Sequence, residues 1–131
     1  MKLLLLILFS LTLHAEERMR AGLWEVISTL DGKPSGTTGG TCYTPAMVQL
    51  ANSPAASVKQ ATEKTMAARH CTLTEFKTEG NRISMKSDCG TKLLTTSSSY
   101  GGDTFETTTT VTTAGVTTVS HMKGQRLGDC K

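Results

Sequence analysis

Apolar and β-branched residues occur in this chain as short runs separated by glycine-containing turns, a pattern that predicts β-strands. The first run, residues 22–30, contains the single tryptophan, Trp24, and we expect it to form a strand. Asp31-Gly32 then marks a turn, and residues 35–43 predict a second strand. Three glycines in this second run indicate a strand that is bent or bulged.

Two helix-start signals follow the second predicted strand. Thr44-Pro45 places a capping side chain before a proline at the first helical position, and Ser53-Pro54 repeats the arrangement. We therefore predict a short helix over residues 45–51 and a longer one over residues 54–69. Their apolar faces are modest, which suits packing on a sheet better than insertion into a membrane.

From Cys71 onward the pattern returns to strands and tight turns. Five strands are expected, over residues 71–78, 82–89, 91–100, 103–113 and 116–124. Consecutive short strands of this kind form an antiparallel meander. The predicted fold class is α+β: a curved antiparallel sheet of about seven strands, which could form a half-barrel. The helical segment is inserted between strands two and three, against one face or at one end, and the first and last strands are expected to be neighbours.

The first 15 residues have the pattern of a secretory signal peptide. Lys2 supplies a positive charge, an apolar run extends from Leu3 to Leu13, and Ala15 precedes a charged pair. The run has 11 positions, whereas a membrane-spanning helix needs about 20. We expect cleavage after Ala15, export without a stable membrane anchor, and a single domain over residues 16–131. The alternative is a buried N-terminal helix or an uncleaved anchor.

The predicted mature domain contains four cysteines, Cys42, Cys71, Cys89 and Cys130. An even number of cysteines in a small exported domain indicates two disulfides. Small domains bury a limited fraction of their surface, so covalent links add stability that a thin core lacks. Four cysteines allow three pairings, and the sequence does not choose among them rigorously.

The hairpin around Gly80-Asn81 tests one of these pairings. A three-residue loop places Cys71 opposite Cys89, whereas a two-residue loop pairs Phe76 with Met85 and sends Cys71 to the other face of the sheet. A shift of one residue turns every side chain of a strand to the other face, so both pairings hold only if a bulge intervenes. We favour the local pair Cys71–Cys89, so that the two other cysteines bond to each other.

No pattern of catalytic or metal-binding residues can be recognised in the sequence. The cysteines lack the close pairs of zinc sites, and the Gly-x-Ser-x-Gly motif of hydrolases is absent. A triad built on His121, a serine and Asp103 or Asp129 could be imagined in any chain of this composition. Residues 36–41 are glycine-rich but lack the Gly-Lys-Ser/Thr ending of a phosphate-binding loop. We predict no catalytic residues, no metal site and no cofactor, and expect a protein that is not an enzyme.

Charge and composition indicate which classes of molecule the protein could bind. The net charge is +3 and the basic residues are scattered, so we expect no nucleic-acid binding. Eleven threonines occur between Thr95 and Thr118. Threonine favours strands because its branched side chain packs on a pleated surface. We expect a sheet with a hydroxyl-rich exposed face, which could order water or bind a polymer.

Several motifs together resemble one family of exported bacterial proteins, the domain of unknown function 3617. These motifs are residues 20–26, Cys42-Tyr43-Thr44-Pro45, the spacing from Cys71 to Cys89, Gly102-Asp103-Thr104-Phe105, and residues 124–130. The resemblance covers the whole predicted mature chain, in order. It implies a periplasmic location, but no established activity and no functional residues.

Three functions remain open at this point. The first is a non-enzymatic binding module for a small apolar ligand or a protein partner, with a pocket lined by Trp24, Met85, Phe105 and Met122. The alternatives are a hydrolase-like enzyme with an unrecognised site, and a structural or envelope-stress protein. We also expect an ion pair between Glu25 and Arg126, because both lie in the motifs at the two ends of the domain.

Overall fold

The computed structural model describes residues 17–131, so the expected signal peptide over residues 1–15 and its cleavage after Ala15 lie outside the described residues. Within this range the chain forms a sheet and two helices. The strands are β1 (Gly22–Leu30), β2 (Lys33–Tyr43), β3 (Thr72–Glu79), β4 (Arg82–Asp88), β5 (Lys92–Tyr100), β6 (Thr104–Thr113) and β7 (Val116–Gly128). The helices are α1 (Pro45–Val48) and α2 (Ala55–Ala68).

The seven strands form one open antiparallel sheet in the order β2-β1-β7-β6-β5-β4-β3. This confirms the predicted fold class, with the helical segment inserted between the second and third strands. Because β2 and β3 are the two edges of the sheet, α1 and α2 connect one edge to the other. The first and last strands are neighbours, as expected: Leu23 pairs with Gly128 and Val26 with Gly124. This pairing explains why β7 extends to Gly128 rather than ending at residue 124.

Both disulfides, Cys42–Cys130 and Cys71–Cys89, are formed. The hairpin of β3 and β4 has the two-residue turn, with Phe76 opposite Met85. A register shift between Leu73 and Glu75 then moves the start of β3 by one position. This bulge turns Cys71 back toward Cys89. The hairpin therefore has both the two-residue turn, with Phe76 opposite Met85, and the disulfide Cys71–Cys89.

The start of each helix follows the predicted signals in part. The Thr44 side chain caps α1 and accepts a hydrogen bond from the Met47 N–H at 3.4 Å. The predicted cap at Ser53 is wrong, because Pro54 occupies the capping position and Ser53 Oγ donates instead to the Gln49 carbonyl oxygen at 2.7 Å. α1 ends at Val48, three residues earlier than predicted.

The two faces of the sheet differ in burial. We call the face that carries Trp24 the inner face and the face that carries Glu25 the outer face, since neighbouring residues of a strand point to opposite sides. The buried strand residues with large apolar side chains, Trp24, Val26 and Ile83, all belong to the inner face by the strand registers. α1 packs there through Val48, which contacts the cluster around Trp24.

Candidate functional site

The core of the domain is concentrated at one end of the inner face, around Trp24. This residue is fully buried, and its indole Nε1 donates a hydrogen bond to the Arg20 carbonyl oxygen at 3.0 Å. The rings of Trp24 and Tyr43 pack edge to face with centroids 6.3 Å apart, and the Phe105 ring is tilted against Trp24 with centroids 5.6 Å apart. The edge-to-face arrangement is one of the preferred geometries for aromatic pairs. Val48 of α1 covers the same cluster, and Tyr100 packs against it as well, so the helix meets the strands β1, β2, β5 and β6 here.

One position in this cluster has to be a glycine. Gly124 of β7 lies opposite Phe105 of β6, and a methyl group at Gly124 would overlap the Phe105 ring. The missing side chain leaves room for the ring to lie flat across β7 and reach Trp24. The resemblance motif that begins at Gly124 therefore has a packing reason at its first residue.

The segment before β1 is hydrogen-bonded to the turn between α1 and α2 and holds this turn over the aromatic cluster. The Arg18 guanidinium donates through Nη1 to the carbonyl oxygens of Ala51 and Ser53, each at 3.0 Å. The backbone N–H of Met19 donates to Asn52 Oδ1 at 2.9 Å, and Asn52 Nδ2 donates back to the Met19 carbonyl oxygen at 2.7 Å. These four hydrogen bonds hold the turn between α1 and α2 against the N-terminal segment.

The same segment is joined to the sheet. Gly102 donates to the Arg18 carbonyl oxygen and accepts from the Arg20 N–H, both at 3.0 Å. Arg20 also forms an ion pair with Asp103, with Nη1 3.0 Å from Oδ2. Residues 18–20 thus link the loop between β5 and β6 to the connection between the helices, and they fix the position of α1 above the sheet.

A small cavity lies between α1 and the sheet, and we call it the apolar cavity. It has a volume of about 180 Å³. Six of its lining residues are apolar or aromatic: Met19, Tyr43, Met47, Val48, Tyr100 and Phe105. Thr107 adds a hydroxyl group, and this group is already hydrogen-bonded to Ser98 at 2.9 Å. Met47 is 64% exposed, so it stands at the rim.

The four residues predicted to line a ligand pocket share the inner face, by the registers of β1, β4, β6 and β7. Only one of them, Phe105, lines the apolar cavity. Trp24 lies behind it as a fully buried support. Met85 and Met122 are half-buried farther along the sheet, and neither lines the cavity.

The structure gives Arg126 different partners from the predicted one. Register places Arg126 opposite Trp24 and Glu25 opposite Gln125, so the side chains of Arg126 and Glu25 leave opposite faces of the sheet. Arg126 Nε donates to the Ala21 carbonyl oxygen at 2.9 Å, and Nη2 pairs with Asp129. The guanidinium therefore links the residue before β1, Ala21, to the residue after β7, Asp129.

A larger groove lies on the outer face, and we call it the polar groove. Its volume is about 530 Å³. It runs across β1, β7, β6 and β5, and its outer-face residues include Glu25, Ile27, Lys123, Gln125, Thr104 and Glu106. Lys123 Nζ lies 3.5 Å from Glu106 Oε1.

His121 lies beside this groove but does not line it. Its Nε2 is 3.9 Å from Glu106 Oε2, and it pairs with Thr108 across the strands. The same Glu106 carboxylate also pairs with Lys123. His121 lines none of the three cavities described for residues 17–131. Among these residues there is also no group of three His, Cys, Asp or Glu side chains that could hold a metal ion.

The fold, the two disulfides and the glycine-dependent core can now be compared with known proteins. The family model described as "Protein of unknown function (DUF3617)" matches residues 19–130. The chain belongs to the DUF3617 family. No curated protein and no solved structure shows significant similarity to it. None of the helices described for this DUF3617 domain is long and apolar enough to cross a membrane.

Several residues of the apolar cavity were not found from the sequence. Met19 precedes the first predicted strand, while Tyr43 and Tyr100 lie at strand ends, where the pattern does not show which way they point. Met47 and Val48 lie in the first predicted helix, and its modest apolar face was the signal available for these two. The match to the DUF3617 family starts at Met19, so this residue is part of the domain and not only a linker.

Proposed function

We propose that this DUF3617 domain is an exported, non-enzymatic binding module whose apolar cavity receives a small apolar ligand or an apolar group of a protein partner. The apolar cavity between α1 and the aromatic cluster of the sheet carries this proposal. Ligand sites are concave and mostly apolar, with a few polar groups that orient the ligand. Here the half-buried Tyr43 and Tyr100 bring a polar hydroxyl group on an otherwise apolar ring.

The volume sets the size of the occupant. A dry apolar cavity of about 150 Å³ is large enough for benzene, and the apolar cavity has about 180 Å³. Sites for drug-sized ligands are larger, at roughly 300–1,000 Å³. The expected occupant is therefore one ring, a branched aliphatic group, or the end of a longer molecule that continues outside.

The covering helix suits a site that opens and closes. α1 has only four residues, so it contributes little stability of its own. Met47 at its rim is unbranched and flexible, a property that lets methionine adapt to different apolar partners. The hydrogen bonds from Arg18 and Met19 hold the turn that follows α1, so movement would be concentrated at α1 itself.

Export to the periplasm belongs to the same proposal. Disulfides persist in oxidising compartments, and all four cysteines of the chain are bonded in pairs. The apolar run that ends at Leu13 supports a signal peptide. Detection of the chain in a periplasmic extract, with a new N-terminus at Glu16, would confirm this part; a cytoplasmic chain that retains its first residues would contradict it.

Binding can be tested with two probes of the expected size, benzene and indole. Titration of the isotope-labelled, disulfide-bonded protein by NMR should shift signals of Val48, Phe105 and Thr107. Met47→Ala should weaken the binding several-fold because it removes the rim contact. Leu50→Ala is the matched control, since Leu50 is 47% exposed just after α1 and does not line the cavity.

The proposal is refuted if neither probe shifts the signals of the cavity and the protein purified from its own host carries no additional mass in native mass spectrometry. A co-purified compound that the Met47→Ala variant loses and the Leu50→Ala variant keeps would support it. Equal effects of the two variants would contradict a role for the cavity.

A further inference from the structure

The polar groove opens on the outer face of the sheet, and unlike the apolar cavity it is lined by charged side chains. The groove is lined by two carboxylates, one ammonium group, one amide and two hydroxyl groups. They belong to Glu25, Glu106, Lys123, Gln125, Thr104 and Ser99. Ile27 adds an apolar patch that is 47% exposed. We propose that the polar groove binds a glycan, a neutral chain of hydroxylated rings.

The net negative charge of the groove disfavours the binding of an anionic ligand. Glu25 and Glu106 carry two negative charges and Lys123 carries one positive charge, so the groove is negative by one unit. Lys123 is already paired with Glu106. A phosphate or another anion would meet net repulsion here, whereas an uncharged polyol would not.

The hydrogen-bonding groups fit a polyol well. A sugar hydroxyl both donates and accepts, so it needs a partner of each kind. Gln125 and the threonine and serine hydroxyls offer both, and the carboxylates offer strong acceptors. Glu25 forms no ion pair with any other residue in the described part of the chain. Its oxygens are therefore available to a ligand hydroxyl without first breaking an ion pair.

The threonine-rich strands extend this groove. Beyond Ser99, the outer face continues with the cross-strand pairs Ser97–Thr108 and Thr95–Thr110. We call these four residues the hydroxyl lane. With a rise of about 3.4 Å per residue, the stretch from Ser99 in the groove to Thr95 at the far end of the lane is about 14 Å long. A surface of this length suits an oligosaccharide of several rings rather than a single sugar.

The hydroxyl lane differs from the equivalent hydroxyls of the inner face. There, Ser98 bonds to Thr107 at 2.9 Å and Thr96 lies 3.4 Å from Thr109, so these groups satisfy one another. Within the described residues, the four members of the lane form no such side-chain pairs with each other. Thr95 and Thr108 are also exposed to solvent. On the outer face of the described sheet such a bond forms only farther along, between Thr112 and Thr117 at 3.1 Å. The hydroxyl groups of the lane are therefore available to a ligand.

Two hexasaccharides serve as probes, one of β-1,4-linked glucose and one of β-1,4-linked N-acetylglucosamine. Titrated into the labelled, disulfide-bonded protein, at least one should shift the NMR signals of Lys123, Gln125 and Thr108. Glu25→Gln should weaken the binding about fivefold to tenfold, the loss of one hydrogen bond to a charged acceptor. Thr108→Val, which keeps the shape and removes the hydroxyl, should weaken it by a smaller factor.

The matched control is Glu79→Gln, because Glu79 is likewise a strand glutamate but lies on β3, outside the groove. This variant should bind as the unchanged protein does. The inference is overturned if neither hexasaccharide shifts outer-face signals at millimolar concentration, or if Glu25→Gln and Glu79→Gln have the same effect. Shifts confined to the apolar cavity would also overturn it, and the apolar-ligand proposal stands or falls separately with benzene and indole.

Discussion

The disulfide Cys42–Cys130 should contribute more to stability than Cys71–Cys89, because it closes a much longer loop. The bonded cysteines are 88 residues apart in the first case and 18 in the second. In the chain-entropy description, a cross-link stabilises by restricting the unfolded chain, and the gain rises with the logarithm of loop length. For these two loops it gives about 4.6 and about 3.2 kcal/mol. The expected difference is about 1.4 kcal/mol.

The structure supports assigning this difference to the unfolded chain. Cys42 lies on the edge strand β2, where nearly every residue is exposed, so replacement by alanine removes little packing. Cys130 follows β7 and is also exposed. Cys71 and Cys89 are half-buried beside the bulge of the β3–β4 hairpin. Any native-state loss of packing would therefore raise the cost at the local disulfide and work against the prediction.

The assay compares C42A/C130A with C71A/C89A by equilibrium unfolding in urea, followed by circular dichroism and by Trp24 fluorescence. Coincident curves from the two probes establish two-state unfolding, which the comparison requires. The expected result is a larger loss of unfolding free energy in C42A/C130A. A loss in C71A/C89A that equals or exceeds it would refute the entropic reasoning. If one variant does not fold at 25 °C, the prediction requires that variant to be C42A/C130A.

Two further predictions concern packing and charge. Gly124→Ala should lower the unfolding free energy by about 1–3 kcal/mol, the usual cost of overpacking, because the new methyl group meets the Phe105 ring; a melting temperature that does not change would contradict the assigned packing. The hydrogen bond from Lys77, and then that from Lys86, holds the pKa of Glu75 below its ordinary value. Since ionised Glu75 is favoured in the folded state, this small contribution is present above its unfolded pKa and is lost as the pH falls through the folded pKa. An NMR titration should find the Glu75 midpoint raised in K77M/K86M, and an unchanged midpoint would contradict the assignment.

The sequence predicts the order of the elements well, because their signals are local. Turns such as Asp31-Gly32 depend on a few neighbouring residues, and positive φ angles at both positions match the hairpin turn expected there. The proline-containing start of α1 is equally local. The pairing of the four cysteines was also predicted correctly. The bulge after Leu73, which makes the two-residue turn compatible with Cys71–Cys89, has no clear sequence signal.

Side-chain neighbours across the sheet were harder to predict, because they depend on register between strands far apart in sequence. A shift of one residue reverses the faces, so neither the partners of Arg126 nor the lining of the cavity could be read from single strands. Met19 shows the same limit. Its backbone N–H donates a hydrogen bond to the side chain of Asn52, 33 positions away, and the residues around Met19 do not indicate this contact.

The distribution of apolar residues on the inner face explains why the cavity and its cover occur at one end of the sheet. On β5 and β6, the middle of the inner face carries Thr96, Ser98, Thr107 and Thr109, whose hydroxyls bond to each other and leave no room for large apolar groups. Large apolar side chains are therefore concentrated around Trp24. All seven strands belong to one sheet, so no second sheet covers this cluster within residues 17–131, and the connection between the two edge strands passes over it. The short α1 provides that cover, and a cover of four residues leaves the space that an apolar ligand would fill.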